Sequence, residues 1–475
     1  TEIEDRPDNT TRFLVIGRKL FAPSGVDRTS LLVSGSHTDS PGTLYRLLEP
    51  LAKHRINVTR IESRPSGKRK WDYVFFLDIE GHADEPRIAQ ALAGLKKRAS
   101  LFRVLGAYPR AIRCARHIPP VSELARELGL EDIVKLAANE NPLGASPAAL
   151  AAMQAALGEA GIYPDGSGHA LKQALATRYG LAPAQLTLGN GSNDVLVLLA
   201  EAFLTAGTEA VYSQYCFAVY PLAVQATGAR AVVVPALPAT HATMPLGHDL
   251  EAMLAAVTPA TRLVFIANPN NPTGTWAPAA AVESFLARVP ATTIVVLDEA
   301  YLEYALDAGC GDGLAWLARR PTLVVVRTFS KAYGLAALRV GFAASDPEVA
   351  DVLNRIRQPF NVNSIALEGA RVALADGDHI ARSVALVAQE RPRLARELAA
   401  RGLRALPSAG NFLLVDIGGA QRAAALNGHL LRQGVIVRPV GNYGLAQYLR
   451  ITVGLAQEND RLLAGVDAWR EGGAR

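Results

Sequence analysis

Thr328-Phe329-Ser330-Lys331-Ala332-Tyr333-Gly334, with Arg339 shortly after it, places one lysine among small and hydroxyl side chains. A guanidinium able to hold a phosphate follows at once. Upstream lie Asp298-Glu299-Ala300-Tyr301 and Asn268-Pro269-Asn270-Asn271-Pro272-Thr273-Gly274. Asp298 ends the apolar run Thr293-Ile294-Val295-Val296-Leu297, which reads as a buried strand, so its carboxylate stands at a strand's C-terminal end. Further upstream, Gly189-Asn190-Gly191-Ser192-Asn193-Asp194 lies between a short strand, Gln185 to Leu188, and an apolar helix, Val195 to Phe203. Glycines permit a tight turn and close backbone approach. A helix start offers free N–H groups and a positive dipole end to an anion. Ser330 and Arg339 add a hydroxyl and a fixed charge, which completes a phosphate cup. A lone lysine carries no information, but this ordered set does.

On these motifs, the chain from about Pro119 to the C-terminus resembles a fold-type I aminotransferase of the histidinol-phosphate aminotransferase group. The resemblance implies pyridoxal 5'-phosphate as cofactor. Lys331 would carry it as a Schiff base, a task suited to a desolvated amine. Asp298 would keep the cofactor's ring nitrogen protonated, so that the ring accepts electrons from the substrate. Tyr301 and Asn271 resemble the pair that hydrogen-bonds the ring oxygen. Gly191, Ser192 and Asn193 join Ser330 and Arg339 around the phosphate. Phe217, in Tyr215-Cys216-Phe217-Ala218-Val219-Tyr220, matches the aromatic that stacks on the ring, where many relatives carry tyrosine. Tyr163, in Tyr163-Pro164-Asp165-Gly166, is similar to a tyrosine that reaches the neighbouring subunit's cofactor phosphate, which implies a homodimer.

Substrate binding falls to two arginines. Arg450, in Tyr448-Leu449-Arg450-Ile451-Thr452, resembles the residue that clamps the substrate α-carboxylate, and Arg438, in Val437-Arg438-Pro439, a second anion-binding arginine. A guanidinium fork donates two parallel hydrogen bonds to such groups. An arginine inside an apolar strand is costly to bury without an anion. The implied partners are small amino acids and keto acids, with Lys331 as general base and acid at the α-carbon.

The N-terminal part reads as a different module. Leu31-Leu32-Val33 opens a strand, and Ser40-Pro41-Gly42-Thr43-Leu44 enters an amphipathic helix through Leu48. Ile56 to Pro65 and Trp71 to Ile79 read as strands paired across Ser66-Gly67. A helix from Pro86 to Arg98 precedes a last strand, Leu101 to Gly106. This βαββαβ order predicts a ferredoxin-like sandwich. It is similar to the ACT regulatory domain of prephenate dehydratase. That likeness implies a phenylalanine effector held by Gly42, Thr43, Leu44, Glu62, Ser63, Arg64 and Pro65, although the family more often has alanine at the Thr43 position. Asn9 to Ile16, with Thr11, resembles the last strand of the dehydratase catalytic domain; a single strand builds no active site, so dehydration is not expected.

The expected organisation is a remnant and linker at 1–27, an ACT domain at 28–109, a linker at 110–118 and the aminotransferase at 119–475. The last would have a mostly parallel large domain at about 161–363 and a small α/β domain from 119–160 and 364–475. The chain has 475 residues, 49% of them hydrophobic, ample for several cores. Its formal net charge is +5 with only 20% charged residues, and the one basic run, Lys68-Arg69-Lys70, is short. That argues against a nucleic-acid face. Cys114, Cys216 and Cys310 are far apart and form no metal pattern, which suits the cytoplasm. No apolar run suggests a membrane span or a signal peptide, and a start at Thr1 suggests a piece of something longer. The attached sensing module favours phenylpyruvate as acceptor, glutamate as donor and phenylalanine as product. The aminotransferase motifs by themselves favour histidinol phosphate. A decarboxylase on the same scaffold is a third reading.

Overall fold

The computed structural model describes residues 27–35, 42–65, 73–109, 129–130 and 132–472. The strand expected at 9–16 with Thr11, the 110–118 linker, Pro41, the Ser66-Gly67 turn, the 68–70 basic run and Cys114 lie outside them. The chain divides into two compact units, Thr1–Arg113 and Cys114–Arg475.

In the first unit, β1 (Asp27–Gly35), α1 (Thr43–Lys53), β2 (Val58–Pro65), β3 (Tyr73–Glu80), α2 (Pro86–Lys96) and β4 (Ala99–Pro109) follow the βαββαβ order. The sheet order is β2-β3-β1-β4, antiparallel throughout. Alternation sends Leu31, Val33, Leu77 and Ile79 to one face, where Leu51 of α1 and Ile88, Ala91, Leu92 and Leu95 of α2 close the core. The helix entered at Thr43 runs to Lys53, through Pro50. Proline removes the N–H that would bond four residues back, to Arg46. The Arg98 guanidinium donates to that carbonyl instead, at 3.0 Å.

The second unit is built on a seven-stranded sheet in the order β6-β12-β11-β10-β9-β7-β8. The strands are β6 (Leu186–Gly189), β7 (Glu209–Ser213), β8 (Arg230–Val234), β9 (Thr261–Ala267), β10 (Ile294–Asp298), β11 (Leu323–Thr328) and β12 (Gly341–Ala344); the short β5 (Val134–Lys135) precedes them. All pairs are parallel except those of β12, which runs against both β11 and β6. Continuous apolar runs such as Ile294–Leu297 and Leu323–Val326 are what a strand covered on both faces needs. Beyond this sheet, β13 (Arg404–Ala405), β14 (Phe412–Asp416), β16 (Arg438–Pro439) and β17 (Tyr448–Thr452) form an antiparallel sheet in the order β13-β14-β17-β16. β15 (Val435–Ile436) pairs with β5 and ties the start of this unit to its C-terminal part.

This layout decides where chemistry can occur. In a parallel sheet, loops leave the C-terminal strand ends together and build a crevice there. Asp298 is the last residue of β10, Thr328 the last of β11, and the Asn268–Gly274 loop leaves β9 beside them. α3 (Ser192–Phe203) starts just beyond β6. Among the described residues, no helix is long and apolar enough to cross a membrane.

Candidate active site

A cavity of about 210 Å³ opens at these strand ends. Its lining brings together Ser192, Asn193, Phe217, Asn271, Asp298, Tyr301, Ser330, Lys331 and Arg339, which come from five separate stretches of sequence. Lys331 Nζ donates to the Ala138 carbonyl at 3.1 Å and lies 5.6 Å from the Tyr301 ring centroid. Burial, followed by the positive charge of Arg450, pulls the Lys331 amine down to about 7. A neutral amine is therefore populated near neutral pH, as a nucleophile or base requires.

Asp298 is pushed up to about 6 by burial, although the Tyr220 hydroxyl and the Ala300 N–H both stabilise its charge. The Tyr220 hydroxyl donates to Asp298 Oδ2 at 2.8 Å, and the Tyr220 ring, itself fully buried, stacks on Phe265. Next to it, Glu299 turns the other way. It accepts from Arg327 Nε and Nη2 at 2.9 and 2.7 Å and from the Gly313 N–H at 2.7 Å. Burial works against the Arg327 charge, and Glu299 and Asp312 outweigh it. This buried pair locks the ends of β10 and β11, the strands that deliver Asp298 and Lys331.

Gly191 has φ +82, and a Cβ there would run into the Arg339 guanidinium. A Cβ on Gly341 would lie 2.5 Å from the Ser192 N–H. Ser330 Oγ takes a bond from Thr328 Oγ1 at 3.0 Å and faces Arg339 Nη1 at 3.4 Å. A cradle with no room for a methyl group, the N-terminal end of α3 and one guanidinium fits a phosphate monoester. With Lys331 and Asp298 at the other end, the donor set fits pyridoxal phosphate.

Arg450 is 7% exposed. It donates to Asn271 Oδ1 at 2.6 Å and to the Ala137 carbonyl at 2.8 Å, while its Nε has no partner among the described residues. Arg438 is its direct cross-strand partner, so both side chains leave the same face of the sheet. Tyr163 lies elsewhere: it is 81% exposed, outside the cavity lining, and stacked on Phe360 at 4.9 Å.

In the first unit, Gly42, Thr43 and Leu44 form the start of α1, with φ +85 at Gly42. Glu62, Ser63, Arg64 and Pro65 lie on the edge strand β2. Arg64 Nε donates to Glu62 at 2.8 Å, and Arg64, with Arg60, holds that carboxylate below its usual range.

Sequence reasoning missed Tyr220 and Asn139. Tyr220 sits three residues after Phe217, across the turn that enters a helix, with the two ring centroids 6.0 Å apart. Asn139 donates to the Tyr301 hydroxyl from the Asn139-Glu140-Asn141-Pro142 loop, a cluster of residues that favour turns over regular structure.

Comparison with known proteins agrees with this geometry. The model of class I and II aminotransferases matches residues 131–466, and that of the ACT domain matches 29–96. Histidinol-phosphate aminotransferase 2 of Pseudomonas aeruginosa is 55% identical over 361 residues, 75% of this chain and 95% of that protein. Histidinol-phosphate aminotransferase 1 of Cupriavidus pinatubonensis is 54% identical over 363 residues, 76% of this chain and 95% of that one. The crystal structure of histidinol-phosphate aminotransferase from Sinorhizobium meliloti with pyridoxal-5'-phosphate superposes with a TM-score of 0.69 at 34% identity, over 76% of this chain and 98% of that one. The chain belongs to the histidinol-phosphate aminotransferase family. It is a pyridoxal-phosphate-dependent aminotransferase of fold type I with an N-terminal ACT domain.

These relatives overturn the expectation of phenylpyruvate as acceptor and phenylalanine as product. The physical reason is plain. That expectation rested on the attached sensing module, and such a module determines what a chain responds to, not which molecule its catalytic pocket accepts.

Proposed function

We propose that the second unit exchanges an amino group between histidinol phosphate and glutamate's keto acid. One observation carries the reading. Arg450 is buried with no carboxylate bonded to it among the described residues, and Arg438 stands opposite it on the same sheet face. A buried cation with no carboxylate is costly, and the positive charge of Arg438 adds to that cost at Arg450. A doubly charged phosphate bound by Arg450 relieves it. Histidinol phosphate has no α-carboxylate, so in this reading Arg450 serves the phosphate and not the carboxylate first assigned to it. Glutamate, in its own half of the cycle, offers its carboxylates to the same pair.

Bound pyridoxal phosphate supplies the electron sink for breaking the bond to the α-hydrogen. The chain's residues do the rest. Lys331 Nζ, pulled down to about 7 by burial, takes the α-proton and returns it on the other side of the exchange. Asp298, steadied by Tyr220, holds the proton on the ring nitrogen. Asn271 Oδ1 is engaged by Arg450, which leaves the Asn271 amide N–H to donate into the cavity, beside the Tyr301 hydroxyl. Phe217 covers the ring, and Gly191, Ser192, Asn193, Ser330 and Arg339 hold the cofactor phosphate.

The reading extends to assembly. Two copies would exchange Tyr163, whose ring the single chain leaves exposed, so that each cofactor phosphate gains the partner's hydroxyl. Phenylalanine at the ACT unit, the kinship of that unit with prephenate dehydratase, and a cytoplasmic location belong to the same proposal. The test is a coupled assay with histidinol phosphate, histidinol and phenylalanine as donors. Histidinol phosphate should exceed the other two in kcat/KM by at least about 100-fold, the worth of one lost charge-assisted phosphate clamp. Equal turnover of histidinol would remove the phosphate reading.

A further inference from the structure

We infer that Asn139 is a positioning residue that sets the direction of the Tyr301 hydroxyl proton, and through it the hydrogen bond received by the cofactor's ring oxygen. The inference rests on Tyr301 facing the cofactor, as proposed above. Asn139 is 1% exposed and has φ +56, a left-handed backbone that asparagine tolerates better than most residues. Its amide orientation is determined by its neighbours. The Asn139 backbone N–H donates to Thr452 Oγ1 at 2.9 Å, so that hydroxyl must spend its own proton elsewhere. It does so on Asn139 Oδ1, at 3.2 Å. With Oδ1 engaged, the amide NH₂ faces Tyr301 and donates to its oxygen at 2.9 Å.

Tyr301 therefore receives a hydrogen bond from behind. A phenol oxygen that already accepts there has its own proton free for another direction, and Tyr301 lines the cavity beside Lys331 and Asn271. Thr452 is two residues from Arg450 on β17, so the two share a strand face. Arg450 orients the Asn271 amide by the same device. One strand face thus directs both donors, the Asn271 N–H and the Tyr301 O–H, to the same place. Two donors converging on a ring oxygen stabilise its negative charge, and a donor in turn polarised by Asn139 does so more strongly.

The test uses the full chain loaded with pyridoxal phosphate and reads the pH midpoint at which the lysine-bound cofactor's absorption band changes. Glycine accepts the left-handed backbone, so Asn139→Gly removes the amide without straining the loop. Its midpoint should rise by about half to one pH unit, since an oxygen with a weaker donor holds its charge less well. Asn139→Asp should raise it further, because a carboxylate turns the Tyr301 proton away from the cavity. In a Tyr301→Phe background, Asn139→Gly should add less than about 0.2 unit. An equal shift in that background, or a moved midpoint in Tyr301→Phe with Asn139→Gly unmoved, overturns the inference alone. An unmoved midpoint in Tyr301→Phe itself overturns the placement of Tyr301 on the cofactor, and the inference with it. Should Asn139→Gly not retain cofactor, Thr452→Val frees the same amide from outside the cavity. A rise in its midpoint supports the inference, and none overturns it.

Discussion

Asp298→Asn should make the cofactor-free protein more stable at neutral pH while abolishing transamination. The Asp298 carboxyl is 4% exposed, and burial lifts it from an ordinary 3.8 to about 6. A carboxylate raised in the folded state costs no stability below its unfolded value. It costs progressively more as pH rises to the folded value, and the full amount above that. At about 1.4 kcal/mol per pH unit, the rise amounts to about 3 kcal/mol at pH 7.5. Asparagine keeps the shape without the charge, and the Tyr220 hydroxyl can rotate to accept from the new NH₂. For a unit of this size, 3 kcal/mol corresponds to about 4 °C in Tm. Thermal melts of both cofactor-free proteins from pH 4 to 8 are the assay. The asparagine variant should melt higher at pH 7.5, with the gap closing as pH falls towards 4. A variant that melts lower at pH 7.5, or a gap that ignores pH, would refute the argument that Asp298 is held ionised at a cost until a cationic ring nitrogen meets it.

Four further outcomes follow from the same geometry. The rate at which cofactor-free protein captures pyridoxal phosphate should rise with pH around a midpoint near 7, because Lys331 is pulled down to about that value; stopped-flow absorbance checks this, and a midpoint above about 9 contradicts it. Gly191→Ala should weaken pyridoxal phosphate binding by at least about tenfold by equilibrium dialysis, since its φ of +82 and the adjacent Arg339 both oppose a methyl group. Arg327→Ala should cost about 3–5 kcal/mol in urea unfolding, because it strands the buried Glu299 carboxylate. Arg230→Ala, which breaks a pair with an exposed guanidinium, should cost under about 1 kcal/mol.

What the sequence disclosed, and what it hid, divides along physical lines. Lys331, Asp298 and the Gly189–Asp194 turn were legible because each follows a run of strand residues and carries a type that chemistry needs there. The ferredoxin-like order of the first unit was legible from alternation, while the bond from Arg98 to the Arg46 carbonyl, which offsets Pro50 within α1, joins residues 52 positions apart and carries no local mark. Asn139 and Thr452 stayed hidden because their role arises from a contact across 313 positions. The pairing of Arg438 with Arg450 was hidden for the same reason: neighbouring strands in a sheet need not be marked by any local pattern. Substrate identity was misjudged where a domain attached to the chain was allowed to speak for a pocket it does not line.

The central claim is that one lysine carries the cofactor. Borohydride reduction of the loaded protein followed by peptide mapping tests it most directly. The pyridoxyl group should appear on the peptide containing Lys331 and on no other. Attachment to a different lysine, or none at saturating pyridoxal phosphate, would contradict it.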